Sequence, residues 1–239
     1  MKALVKINWN KETPVLKLAT ENGYETVKLE KGREFDYEVT NKRRCTGFHS
    51  EKGRMTPCPA FNKIESGDQC FNCRKKDIYT HWRTGNGSPG FEADYSVYLA
   101  QCGDQVKVGV TRTKRLRNRW LEQGADYAVE IFSKVSPEEA LEKEKELSKK
   151  GLRERIRKEH KIKSAEKSLL QQKMREYGLE GEITDLDNSI EGKNFVREGV
   201  FPSPIENVKG QIVSNGRVCI GVSSGKVVQK SQQKGLSDF

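Results

Sequence analysis

Cys45, Cys58, Cys70 and Cys73 fall within the stretch RRCTGFHSEKGRMTPCPAFNKIESGDQCFNCRKK, with the spacing C-x12-C-x11-C-x2-C. The closing CFNC is a Cys-x-x-Cys knuckle, which lets two thiolates grip one tetrahedral ion from a single turn. Four thiolates close a zinc site with no open position, so such a site stabilises a fold rather than catalysing a reaction. The first interval is much wider than the usual ligand spacing. Disulfides and an iron–sulfur cluster are the alternatives; a redox Cys-x-x-Cys needs a thioredoxin-like setting that is absent here. His49 is a conceivable substitute ligand but reads as a loop histidine. Cys102, in a polar turn, and Cys219, in a strand pattern, read as unliganded.

A second constellation lies in SVYLAQCGDQVKVGVTRTKRLRNRW, Ser96 to Trp120. Two β-like runs flank a polar turn, and five basic residues then fill the eight positions from Arg112 to Arg119. Arg112, Lys114, Arg115 and Arg117 are the candidate phosphate contacts, of the kind that position a nucleic acid without reading its bases. The whole chain carries a net charge of +10, which favours polyanionic partners through counterion release. The excess is local. From Lys107 to Gln123 six cations face Glu122 alone, and from Ser148 to Glu176 eleven Lys and Arg face four acids.

The elements that must position these residues follow from hydrophobic rhythm. Residues 1–42 read as a small antiparallel sheet: Ala3, Val5 and Ile7 alternate along one run, and Phe35, Tyr37 and Val39 along another. Residues 43–90 form the four-cysteine module. Residues 91–150 run strand, turn, strand, basic helix, strand and helix. Ser136 caps that last helix, Pro137 fits its first position, and Glu139 stands where a capping-box partner belongs. Gly124 ends the basic helix, and Trp120 packs it onto the sheet. Residues 151–180 read as one long basic helix over 152–178 with a thin apolar stripe. Residues 181–239 read as a β meander with a tight turn at Asn215-Gly216, followed by a frayed tail. His81 and Trp82, in the link after the cysteines, have no assigned role. The fold class is therefore α+β. A few strands alone bury too little to fold, so the two terminal β segments are expected to pack together.

The central stretch resembles the GIY-YIG nuclease domain over about residues 94 to 150. Ser96-Val97-Tyr98 stands where that family has GIY, Lys107-Val108-Gly109 where it has YIG, Arg119 near its helical arginine, and Glu144 at its metal-binding glutamate. The resemblance implies roles. Tyr98 would orient or deprotonate the attacking water, and Lys107 would stabilise or help activate it. Arg119 would neutralise the scissile phosphate, and Glu144 would hold Mg2+ or Mn2+. The leading Gly and the second Tyr are replaced, and Asn188 is a poor counterpart for the family's late Asn. The whole chain also resembles an uncharacterised archaeal and bacterial family, in which a zinc-ribbon-like segment precedes such a domain. The phrases RCTGF, QCFNC, KVGVTR and RWLEQGA carry that likeness.

The sequence thus predicts a zinc-containing protein that binds structured RNA or DNA. A metal-dependent endonuclease acting through Tyr98, Arg119 and Glu144 is one alternative, and an adaptor for an acidic protein is another. With a mean hydropathy of −0.81 and no long apolar run or apolar leader, the chain is expected to be soluble and cytoplasmic, with no membrane partner.

Overall fold

The computed structural model describes residues 1–10, 12–80, 93–190 and 194–231 of the 239. His81, Trp82 and the last eight residues lie outside them. Among the described residues no helix is long and apolar enough to cross a membrane. The architecture is mixed α+β and mostly strand.

Both ends of the chain build one sheet. β1 (Lys2–Asn10), β2 (Thr13–Thr20), β3 (Gly23–Lys28) and β4 (Tyr37–Arg43) are joined by β12 (Gly199–Val200) and β16 (Lys226–Lys230), in the order β12-β4-β16-β1-β2-β3. The expected contact between the terminal segments is therefore direct strand pairing, with Lys2 opposite Val228. One detail of the N-terminal expectation changes. The register between β1 and β2 shifts between Leu4 and Lys6. A bulge adds one residue and re-aims the side chains after it. Ile7 therefore shares a core with Leu4, Leu16 and Leu18, whereas Ala3 and Val5 join a separate cluster with Phe61. Gln211 straps the bulged strand: its Oε1 accepts from the Ile7 N–H at 2.7 Å, and its Nε2 donates to the Ile7 carbonyl at 2.7 Å.

The expected C-terminal meander is distributed over three sheets. β10 (Thr184–Asp185) joins the central domain, and β12 and β16 join the terminal sheet. β11 (Asn194–Val196), β13 (Asn207–Lys209), β14 (Ile212–Ser214) and β15 (Val218–Gly221) form a small sheet whose Val213 and Ile220, with Val222 just after β15, share the core of the large one. The Asn215-Gly216 turn is present. The Asn215 side chain accepts from the N–H groups of Arg217 and Val218, at 3.2 and 2.9 Å.

The central sheet has the order β10-β9-β7-β8, with β7 (Tyr95–Cys102), β8 (Gln105–Arg112) and β9 (Tyr127–Val135) antiparallel. Every residue of β7 is buried, because helices cover both faces. On one side lies α2 (Leu116–Gln123), contributing Trp120 and Leu121 beside Tyr98, Ala100 and Cys102. On the other lie α3 (Pro137–Lys149) and α5 (Lys167–Glu176), with Ala140, Leu147, Leu170 and Met174 packed on Val97 and Leu99. Ser136 accepts from the Glu139 N–H at 3.1 Å to cap α3.

The single helix expected over 152–178 does not form. Two short helices, α4 (Lys158–Lys161) and α5, replace it. β8 is the edge of its sheet, and an edge offers unpaired backbone groups. Residues 152–154 lie along it, the Arg153 carbonyl accepting the Val108 N–H at 2.8 Å. Leu152 is buried in the central core. Tertiary pairing outweighs a helical propensity supported by so thin an apolar stripe.

Candidate functional site

The four sulfurs of Cys45, Cys58, Cys70 and Cys73 lie within 4.8 Å of one another, as a metal site requires. Cys45 leaves β4, and Cys58 follows a hairpin of β5 (Phe48–Glu51) and β6 (Arg54–Thr56). That hairpin occupies the wide first interval and returns the chain to its starting point. Cys70 and Cys73 flank the first turn of the short helix α1 (Phe71–Lys76). A tetrahedral zinc with sulfurs at about 2.3 Å sets them about 3.8 Å apart. Cys58 and Cys70 stand at 4.0 Å and all four sulfurs within 4.8 Å, so the residues fit the ion with a contraction of no more than about 1 Å.

Hydrogen-bond donors reach two of the sulfurs. The Cys70 N–H donates to the Cys45 sulfur at 3.2 Å, and the Asn62 amide donates to the Cys58 sulfur at 3.9 Å. Burial lifts the Cys45 thiol to about 11 and raises Cys73 further, since neighbouring thiolates resist joint ionisation. Burial also opposes ionisation of Cys70, but hydrogen bonds from Asn62 and from the other thiols outweigh it and bring that thiol to about 6. A cation shared among four such sulfurs removes the conflict. His49 stands apart from the cluster, its Nδ1 lying 3.3 Å from Asp77 Oδ2. All six cysteines are free thiols, Cys102 and Cys219 included.

The second constellation also converges. Tyr98, central in β7, is fully buried and lies directly opposite Gly109 of β8. Gln123, near the end of α2, joins it to the helix. With the amide oxygen turned toward them, Gln123 accepts from Tyr98 Oη at 2.9 Å and from Arg119 Nε and Nη2 at 3.1 and 3.2 Å. Trp120 closes over the tyrosine ring, edge-on, with centroids 6.3 Å apart. Gly124 takes the left-handed conformation, φ 69°, that ends the helix.

Lys107 projects from the same face of β8 two residues before Gly109 and is 8% exposed. Its Nζ donates to the Glu154 carbonyl at 2.6 Å. Burial and the Arg119 charge lower its amine to about 8, against the opposing pull of Glu144. Glu144 lies one turn from Ala140 and Leu147 on α3. Burial raises its carboxyl above the ordinary range, while Lys107, Arg119 and the Val110 N–H hold it down. Burial also pushes the Tyr98 hydroxyl up to about 12, opposed by Arg119. Tyr98, Lys107, Arg119 and Glu144 thus form one electrostatic unit at the β8 edge. Gln123 and the Glu154 carbonyl belong to it, and no sequence signal marked them.

The basic stretch is less uniform than its sequence. Arg112 ends β8, and Lys114 and Arg115 lie in a single 3-10 turn before α2. Arg115 pairs with Glu122 at 2.9 Å and Arg117 with Glu12 at 2.5 Å, while Arg119 approaches Glu122 at 3.4 Å. Only the Arg117–Glu12 pair is exposed on both sides, and a pair of that kind contributes about 0–1 kcal/mol; Glu122 is largely buried. Asn188 faces away from the cluster, donating to the Ala125 carbonyl at 3.2 Å.

These features define a mixed α+β protein with a cluster of four cysteines that could hold a metal ion. The chain belongs to the DUF2797 family, described as a protein of unknown function, whose profile matches residues 32–202. No curated protein and no solved structure matches it.

Proposed function

We propose that this protein binds structured nucleic acid, with zinc holding the cysteine module in shape and the Tyr98, Lys107, Arg119 and Glu144 cluster meeting a backbone phosphate. The observation that carries this reading is the convergence of those four side chains at one sheet edge, beside the cationic run Arg112–Arg119. Arg119 and Lys107 supply positive charge in a partly dry setting, where it acts more strongly than in water. Arg112, Lys114, Arg115 and Arg117 continue the cationic track outward.

The test is binding of a folded RNA and a folded DNA across a salt series. A steep fall of affinity with salt is expected, and Arg112→Ala and Lys114→Ala should each reduce the slope by about one. Binding that ignores salt, or that is absent for both polymers, overturns the reading and leaves an acidic protein as the partner to seek.

A second reading, phosphodiester hydrolysis of GIY-YIG type, is favoured by one observation: a half-buried carboxylate, Glu144, lies within the electrostatic reach of both Lys107 and Arg119, with no direct ion pair to either. A Mg2+ or Mn2+ ion at Glu144 would supply Lewis-acid polarisation. Arg119 would face the charge that develops on the phosphate. Tyr98 is neutral and engaged by Gln123, so its part is orientation. Cleavage that needs a divalent ion and disappears in Glu144→Gln supports this reading; cleavage that survives the change rules it out.

A further inference from the structure

A cleft of about 450 Å³ opens where the terminal sheet, the small sheet and helix α4 meet. Its cations come from separate stretches: Arg43 ending β4, Arg157 and Lys158 beginning α4, Arg197 beside β11, and Lys226 opening β16. Glu159 and Glu198 are its acids, so five cations face two carboxylates.

Both acids are already taken. Arg197 grips Glu159 Oε1 through Nε at 3.2 Å and through Nη2, and Lys226 Nζ donates to Glu198 Oε1 at 3.0 Å. The other three cations make no direct ion pair with an acid among the described residues, although Glu159 feels the charge of Arg157 and partly offsets the crowding at Lys158. Lys158 Nζ donates to the Val222 carbonyl at 2.6 Å and to Ser223 Oγ at 2.9 Å, both neutral acceptors. Arg43 Nη1 donates to the carbonyls of Gly67 and Ser224, at 2.7 and 2.9 Å. Arg157 is exposed; its carbonyl accepts from the His160 N–H at 3.1 Å, and its side chain makes no hydrogen bond or ion pair among the described residues.

Crowded like charges are costly, and the cost registers at Lys158: burial first, then Lys161, Lys226 and Arg197, lower its amine to about 8. A bound dianion would relieve that repulsion. Guanidinium forks match phosphate oxygens two at a time. Ile156, Phe195 and Gly221 add an apolar wall, and the volume lies in the range of small-ligand sites.

We propose that this cleft binds a nucleotide 5′-phosphate, either free or at the end of a strand: Arg43, Arg157 and Lys158 take the phosphate and the Ile156–Phe195 wall takes the nucleoside. The site shares no residue with the Tyr98 cluster and needs none of its chemistry, so it goes beyond the reading above.

The test is calorimetric titration of the full chain, in low-salt buffer free of phosphate, with AMP, adenosine, inorganic phosphate, and one oligonucleotide with and without a 5′-phosphate. AMP is expected to bind at least tenfold more tightly than adenosine or inorganic phosphate. Arg157→Ala should weaken AMP at least tenfold without changing the melting temperature, and Lys158→Met should weaken AMP by a similar factor. Arg157→Ala, at an exposed position, carries the test if Lys158→Met fails to fold. Tyr98→Phe should leave AMP binding intact. A preference for the phosphorylated oligonucleotide assigns the ligand to a strand end; indifference, with AMP still bound, assigns it to the free nucleotide. No AMP binding, or AMP binding untouched by Arg157→Ala, overturns the site. Inorganic phosphate binding as tightly as AMP overturns its nucleoside half.

Discussion

The ring of Tyr98 lies on the backbone of Gly109. A Cβ built at Gly109 would stand 2.5 Å from the Tyr98 hydroxyl oxygen and 2.6 Å from Cζ. The two residues are direct cross-strand partners, so the glycine is the floor on which the tyrosine rests. Gly109→Ala should push the ring off the strand, at about 1–3 kcal/mol for overpacking. Urea denaturation measures the loss, and polyanion binding should weaken with it because the Gln123 link to Arg119 moves. Unchanged stability would mean that the ring has room to swing aside.

The cysteine cluster predicts one zinc per chain. Metal analysis of purified protein should find it, and a strong chelator should release it with a large drop in melting temperature, because structural zinc binding is itself folding free energy. Cys73→Ser, which removes a buried ligand, should abolish stoichiometric zinc. Full thermal stability after verified metal removal would show that the thiols hold the module without it.

Asp126 and Lys209 form an ion pair at 2.6 Å, with the lysine 1% exposed. Asp126 also accepts the Gly103 N–H at 2.7 Å. The pair joins the loop after α2 to β13, hence the central domain to the small sheet. Asp126→Ala strands a buried ammonium and should cost about 3–5 kcal/mol. Adding Lys209→Met should recover part of that loss. A double-mutant cycle by chemical denaturation reads the coupling, and additive effects would deny that the two charges depend on each other.

Lys158 gives a pH dependence with a definite sign. Its amine, near 8 in the fold, returns to about 10.5 in the unfolded chain. Between those values the unfolded chain holds the extra proton, so stability from this group rises as pH rises from 8 to 10.5. Glu159 opposes the shift, while Lys161, Lys226, Arg197, Arg43 and Arg157 are the cations around it and Glu198 the further acid. Lys158→Met should flatten the stability profile over that interval in phosphate-free buffer. Parallel profiles for variant and wild type would refute the depressed amine.

Much of the candidate site is legible because it depends on local order. Tyr98, Lys107, Gly109 and Arg119 sit on consecutive elements, and period-two strands put the first three on one face. Ser136 and Gly124 mark their helix ends by chemistry that needs no partner from elsewhere. The CFNC knuckle marks the cysteines, and the irregular Cys45–Cys58 interval is the length of the β5–β6 hairpin that folds back between them. What escaped was non-local. The Leu4–Lys6 bulge, which turns Ile7 toward Leu4, is tied to Gln211 across 204 residues. The Arg153–Lys161 stretch has the composition of a helix, yet the unpaired β8 edge draws its beginning into an extended path. The cationic cleft gathers Arg43, Lys158 and Lys226 from distant stretches, each of which reads singly as a surface charge.

The place of β16 between β1 and β4 has a consequence for synthesis. The ribosome releases both neighbours long before residues 226–230 emerge. Until then the first strand and the fourth have no common partner, and each leaves a bare backbone flank. The emerging chain should therefore hold its cysteine module and central domain early and seal the terminal sheet last, and a stop codon just before Lys226 should give an aggregation-prone product.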